Sequence, residues 1–229
     1  MSARQILDNV RIVTHRLVLR EIEESDLVAL HNYWSDSEVA RYMPRGPLTE
    51  DGVKSLVQTA ITGRRSQPRR YFRLAMVLKE GERIIGDCVC RVSDPENRED
   101  FSRIIGQAYI GFFFSREVWG HGYATEVAGS LAFGFEHLGL AKIWAWCDTE
   151  NEASVRVLEK VGVRREAHVR KSLMVQGEWR DCFVYCLLSD ECVPEIRSRS
   201  QNVQKVFQNM YRTSTSQPTA YTWVSASSN

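Results

Sequence analysis

Between Ile110 and Ser130 the chain reads IGFFFSREVWGHGYATEVAGS and changes its period midway. Ile110, Phe112, Phe113 and Phe114 are strand-forming types, whereas Gly120 and Gly122 permit a tight turn without Cβ bulk. From Tyr123 onward Val127, Leu131, Phe135 and Leu138 recur at helical spacing. A chain written this way must place a strand, a glycine turn and a helix start in immediate succession. The first N–H groups of that helix have no intrahelical partner, and the helix dipole makes the spot attractive to anions. Two glycines between a strand and a helix are, on their own, more often a plain turn. The pattern is not the dinucleotide fingerprint, because Thr125 stands where its third glycine would be, and no Gly-Lys-Ser/Thr follows to make a P-loop.

A second strand-to-helix junction follows downstream, Asp148-Thr-Glu-Asn-Glu-Ala-Ser154, and its helix runs to a glycine C-cap at Gly162. A helix starting near Asn151 would put Asn151 and Ser154 one turn apart on one face. Thr149 and Glu152 also satisfy the capping-box pattern, which would leave Asn151 and Ser154 as ordinary first-turn residues.

Taken together, these stretches resemble the GNAT superfamily of acetyl-CoA-dependent N-acetyltransferases, in its ribosomal-protein-acetyltransferase-like (RimJ/RimL-like) branch. The resemblance runs from Thr14 to Leu188. It rests on an opening strand T-x-R-L-x-L-R-x at Thr14 to Glu21, the turn W-G-H-G-Y-A-T-E, the junction N-E-A-S, the helix end L-E-K-V-G and a closing hairpin carrying Asp181. The family signature Q/R-x-x-G-x-G/A falls on Trp119-Gly-His-Gly122-Tyr-Ala124, with Trp119 in place of Gln or Arg; Val163 stands where the family usually has Phe.

The resemblance implies acetyl-CoA as cofactor, its pyrophosphate seated on the turn formed by Trp119, Gly120, His121, Gly122, Tyr123, Ala124 and Thr125. His121 lies where relatives often carry a basic residue. Backbone groups of Phe112 and Phe114 are expected to pair with the pantetheine amides and the thioester carbonyl, in a gap where the strands beginning at Ile104 and Lys142 splay apart. Asn151 would contact the pantetheine arm, and Ser154 would be catalytic, donating to the departing thiolate. No metal is implied. The acceptor cleft would lie between the Asp36 to Pro47 loop and the closing hairpin, with Trp34, Asp36, Glu38, Tyr42, Trp179 and Asp181 as acceptor-binding residues. That mix of carboxylates and aromatic faces suits a small cationic amine, an aminoglycoside-type amino sugar ahead of a protein N-terminus. The base for the ammonium is not identified; water acting through Glu150, Asp148 or Glu38 would serve. A non-catalytic acyl-CoA-binding domain is the opposing reading.

The chain has 229 residues, enough for one domain or one domain with an appendage. A net charge of +1 favours neither nucleic acid nor an anionic membrane as partner. No apolar run is long enough to cross a membrane, and the first twenty residues do not resemble a signal peptide, so a cytoplasmic protein is expected. Six scattered cysteines fit free thiols better than a metal site or disulfides.

In order, Thr14 to Glu21 reads as a strand, Ser25-Asp26 as a cap for a helix with Leu27, Leu30, Tyr33 and Trp34, and Thr49 as the N-cap of the next helix. The stretch Gly63 to Arg70 reads as a solvated basic loop. Strands follow at Tyr71 to Leu78, Glu82 to Val92, Ile104 to Phe114 and Lys142 to Asp148, with a last hairpin around Gln176-Gly177. The expected class is α+β: one domain over residues 1–192, with a mixed, mostly antiparallel sheet splayed between two strands and flanked by helices. A C-terminal extension over residues 193–229, a helix then a polar tail, carries Phe207, Met210, Tyr211, Tyr221 and Trp223 and is expected to pack across a partner in a homodimer or to rim the acceptor cleft.

Overall fold

A computed structural model of the chain describes residues 9–93, 106–128 and 131–192, without the side chains of 131–133. The Ser93 to Ser102 connection beyond residue 93, the start of the strand expected at Ile104 and the whole C-terminal extension lie outside the described residues.

The opening is a hairpin, not the single strand expected from Thr14: β1 (Arg11–Val13) turns through Thr14 into β2 (Leu17–Glu21). Thr14 Oγ1 accepts from the Leu17 N–H at 3.1 Å, which closes the turn, while Leu17 and Leu19 alternate into the core. A short 3₁₀ turn, Glu24–Asp26, then leads into α1 (Leu27–Trp34). Asp26 caps nothing on α1. Its carboxylate accepts from the Glu23 N–H and from both terminal nitrogens of Arg20, so it is buried as the partner of a guanidinium.

Helix α2 (Glu50–Arg65) does begin at the expected cap, Thr49 Oγ1 accepting from the Gly52 N–H. It runs on through Gly63 to Arg65, into what reads as loop. Of the basic loop that remains, Arg69 is buried, not solvated, and grips Glu21 through two parallel bonds of 2.8 and 2.9 Å.

The remaining strands are β3 (Tyr71–Leu78), β4 (Ile84–Val92), β5 (Gln107–Phe114), β6 (Lys142–Asp148), β7 (Arg164–Val175) and β8 (Glu178–Leu188). They form one eight-stranded sheet in the order β1-β2-β3-β4-β5-β6-β8-β7, antiparallel except at β5 and β6. Three helices follow β5 or β6: α3 (Tyr123–Ala128), α4 (Leu131–His137) and α5 (Glu152–Lys160). They cover one face, where Ile110, Ile143, Ala145 and Tyr185 pack with Leu158, Val161 and Ala128. On the other face α1 and α2 pack Leu30, Trp34, Val53 and Val57 on Ala75, Val77 and Phe113.

Asp87 on β4 sits at the centre of that second face, fully buried. It accepts from Tyr33 Oη at 2.5 Å, Trp34 Nε1 at 2.8 Å and Arg73 Nε at 2.6 Å. Trp34 is therefore a core residue, its ring 4.5 Å from that of Phe113, and it does not reach the acceptor cleft.

Candidate active site

The parallel pairing of β5 and β6 is short. It runs from Gln107 opposite Lys142 to Tyr109 opposite Trp144 and stops there, so the rest of both strands diverges. Which backbone groups this exposes follows from alternation along a strand. Gln107 O accepts from Ser93 N–H and Ser115 N–H donates to Ile85 O, which turns the odd-numbered residues of β5 toward β4. Gly106 O, on the opposite side, accepts from the Ala141 N–H. The N–H and C=O groups of Phe112 and Phe114 therefore face the opening between β5 and β6.

After β5 a 3₁₀ turn, Arg116–Val118, brings the chain to Trp119 and the two glycines. Gly120 and Gly122 both have φ of +78°, a conformation that costs an L-residue energy. Nothing stands within 4 Å of a Cβ built on Gly120, so the turn presents bare backbone to the space before α3. Trp119 uses its indole N–H to donate to Phe114 O at 3.0 Å, tying the turn back to the strand end. His121 is exposed and does not line the cleft, its Nδ1–H donating to Trp119 O at 2.9 Å and its ring stacked beside Tyr123.

The second junction is closed by Asn151, not by Thr149. Asn151 is the N-cap of α5, and its Oδ1 accepts from the Ser154 N–H at 3.1 Å. Ser154 Oγ makes no hydrogen bond among the described residues, and the side chain lines the cleft.

These parts enclose one continuous cleft of about 760 Å³. The glycine turn with Tyr123, Ala124 and Thr125, the diverging strands, and Glu38, Tyr42 and Glu150 all line it. Tyr42 Oη donates to Glu150 O at 3.2 Å, joining the loop after α1 to the start of α5. Of the six residues expected around the acceptor, only Glu38 and Tyr42 line the cleft. Asp36 accepts from the Glu38 N–H and faces Arg116 at 3.4 Å. Trp179 is exposed on the hairpin, and Asp181 braces the β7 irregularity by accepting from the Lys171 N–H beside His168. That Lys171 N–H, aided by His168, holds the Asp181 carboxyl below its ordinary value. The residues missing from the expected set are Tyr109 and Trp146, which line the cleft from alternate positions of β5 and β6. Their signal was present in the period of those strands, which puts Tyr109, Gly111 and Phe113 on one face and Trp144 and Trp146 beside them.

Asp148 and Glu150 share one guanidinium: Arg180 Nε donates to Asp148 at 2.9 Å, and the Arg180 terminal nitrogen contacts Glu150 at 2.5 Å. Cys147 also lines the cleft, but burial pushes its thiol up to about 12, so it stays protonated at neutral pH and is no nucleophile. Among the described residues no group of His, Cys, Asp and Glu is arranged to hold a metal ion, and no helix is long and apolar enough to cross a membrane.

A bare glycine turn at a helix start, a strand edge open along an elongated cleft and a hydroxyl at the next helix define an acyl-CoA site on an α+β scaffold. The chain belongs to the GNAT acetyltransferase family: the family described as "Acetyltransferase (GNAT) domain" matches residues 16–164. It is 32% identical over 185 residues to the uncharacterized N-acetyltransferase YnaD of Bacillus subtilis, covering 80% of this chain and 99% of that one. A GNAT-family acetyltransferase structure from Bacillus anthracis superposes with a TM-score of 0.67 at 31% identity, over 80% of this chain and all of that one. A spermidine N-acetyltransferase from Vibrio cholerae, solved with CoA and spermine, shares the fold with a TM-score of 0.64 at 20% identity, over 77% of this chain and 98% of that one. The protein is an acetyl-CoA-dependent N-acetyltransferase.

Proposed function

We propose that the acceptor is a primary amine on a small cationic molecule, acetylated directly within a ternary complex. The observation that carries this is the composition of the cleft from the last β5–β6 pair onward: Tyr109, Trp146 and Tyr42 supply aromatic faces, and Glu38 and Glu150 supply carboxylates. The spermine bound by the Vibrio cholerae protein supports the same class, and an amino sugar offers the same chemistry of clustered ammonium groups.

Acetyl-CoA, when bound, supplies a thioester open to attack by a neutral amine. The backbone of residues 120–125 would hold its pyrophosphate, and the Phe112 backbone with the Phe114 N–H would hold its amide-bearing arm and polarise the carbonyl, the Phe114 C=O being bound by Trp119. Asn151 shapes the start of α5, and Ser154 Oγ–H would donate a hydrogen bond to the leaving sulfur, which then takes its proton from water through that hydroxyl. Water between the acceptor and the Asp148–Glu150–Arg180 group takes the proton that the ammonium must lose. No covalent protein intermediate is needed, which fits a Cys147 kept neutral.

The test is an acetylation assay that presents polyamines, aminoglycosides and peptides with free N-termini side by side. Turnover of the small cations is expected. Efficient turnover of peptides with none of any small amine overturns the reading.

A further inference from the structure

Tyr109 holds a position that the seat for acetyl-CoA does not call for. It is the last paired residue of the β5–β6 seam, with its side chain on the α1 and α2 face, opposite Phe112 and Ile110. A Cβ on Gly111 would lie 3.0 Å from Tyr109 Oη and 3.5 Å from Cζ. The phenol therefore lies along the strand, in the space a side chain at residue 111 would fill. Glycine inside a strand weakens it and often marks a close approach; here it lets this ring lie flat beside the opening. The ring packs 5.1 Å from Trp144 and 6.3 Å from Trp146, nearly parallel to the latter at 23°. Neither Tyr109 Oη nor Trp146 Nε1 makes a hydrogen bond among the described residues.

The charged groups nearby have partners: Arg73, whose charge reaches the Tyr109 phenol together with that of Arg91, is held by Asp87, and Arg91 lies over the Tyr71 ring. Asp148 and Glu150 bind Arg180, and Glu38 has Arg41 at 3.8 Å. The pair of aromatic faces and the phenol oxygen, which no described residue engages, are open to an incoming ammonium, with Glu38 and Glu150 supplying charge farther along the cleft.

We propose that Tyr109 and Trp146 form the subsite that receives the acceptor's cationic amine, the Tyr109 hydroxyl orienting the reacting nitrogen. This rests on the small cationic acceptor proposed above. Burial pushes the Tyr109 phenol up to about 12, so at neutral pH it is a hydrogen-bonding group and not the base. Tyr109 and Trp146 thus set specificity, while proton removal is left to water.

The experiment is steady-state kinetics with spermidine and with an aminoglycoside, together with calorimetric CoA affinity, on wild type, Tyr109→Phe, Trp146→Leu and Gly111→Ala. Tyr109→Phe should raise acceptor KM about fivefold, the worth of one hydrogen bond, and Trp146→Leu about tenfold. Gly111→Ala should displace the phenol and shift acceptor KM in the same direction. CoA affinity should stay within about twofold of wild type in all three, a control for folding as well. Unchanged acceptor KM in Tyr109→Phe and Trp146→Leu, with CoA binding intact and wild type active on small amines, overturns the subsite alone. A wild type that acetylates only peptides overturns the acceptor reading, and the subsite falls with it.

Discussion

Arg16 and Glu126 meet 110 residues apart in sequence, the guanidinium Nε at 2.7 Å from one carboxylate oxygen and the Arg16 backbone N–H at 2.6 Å from the other. Thr14 Oγ1 adds a third donor to Glu126, while Arg16 reaches on to His121 O at 2.9 Å and lies 4.1 Å over the Tyr123 ring. The β1–β2 turn is thereby fastened to the glycine turn from outside the cleft. An exposed ion pair alone is worth about 0–1 kcal/mol, but a part-buried carboxylate with three donors fixes geometry as well as energy.

Replacing Glu126 with Gln should therefore cost about 1–3 kcal/mol at pH 7 and loosen CoA binding. Burial opposes the Glu126 charge, yet the Arg16 N–H, the Thr14 hydroxyl and the Arg16 guanidinium outweigh it and hold the carboxyl below its ordinary value. A folded-state pKa below the unfolded one, about 4.3, gives stability that is present above that pH and lost as pH falls through the folded value. Thermal melts from pH 7 to 3 should show wild type losing its advantage over Glu126→Gln in the acid range. A gap that stays constant with pH would remove the clamp.

Gly122→Val should abolish measurable CoA binding in a protein that still folds. The residue has φ of +78°, where a β-branched side chain is strained, and a Cβ there would lie 3.8 Å from the Arg16 guanidinium that fastens the turn, so the turn's backbone would have to shift. Calorimetry with CoA decides: affinity near wild type in a folded variant would move the pyrophosphate seat elsewhere.

Ser154→Ala should lower kcat by about 10- to 100-fold, short of the upper range for general acid catalysis because water can partly replace the hydroxyl. CoA affinity should hold. Asn151→Ala is the contrast, since losing the N-cap costs about 1 kcal/mol of stability whatever happens to rate. Equal kcat in Ser154→Ala and wild type would leave Ser154 as a plain first-turn residue.

Asp87→Ala should destabilise the fold by about 3–5 kcal/mol, because it strands the largely buried Arg73 and two aromatic donors. Among the described residues Arg73 Nη2 has no partner, so none of them offers a spare acceptor to compensate. Urea denaturation measures it, and a loss under about 1 kcal/mol would show that the cluster is relaxed by water.

The elements readable from the sequence are those that local chemistry decides. The Thr49 cap, the strand from Lys142 to Asp148 and the passage from β5 through two glycines into α3 each depend on neighbours a few residues away. Polar side chains resisted reading because their partners are remote. Arg69 reads as solvated until Glu21, 48 residues earlier, is found beside it, and Trp34 reads as a cleft residue until Asp87 is seen to accept from its indole. Trp179 and Asp181 follow the closing hairpin, whose course outside the cleft no period in the sequence specifies. Tyr109 and Trp146 are hidden for the converse reason: an aromatic in a strand reads as core, and only the divergence of β5 and β6 leaves these two at an opening.

That divergence makes the sheet two plates hinged along a margin three residue pairs long. β1 to β5 form one plate, and β6, β8 and β7 form the other. A molecule lying in the opening and bonding to both margins would take the place of missing rungs, as a keystone does. Its binding adds to the stability of the whole fold by mass action, about 2.7 kcal/mol at a concentration one hundred times its dissociation constant. How long this protein survives in a cell would then follow the supply of acetyl-CoA, the same quantity that sets its rate.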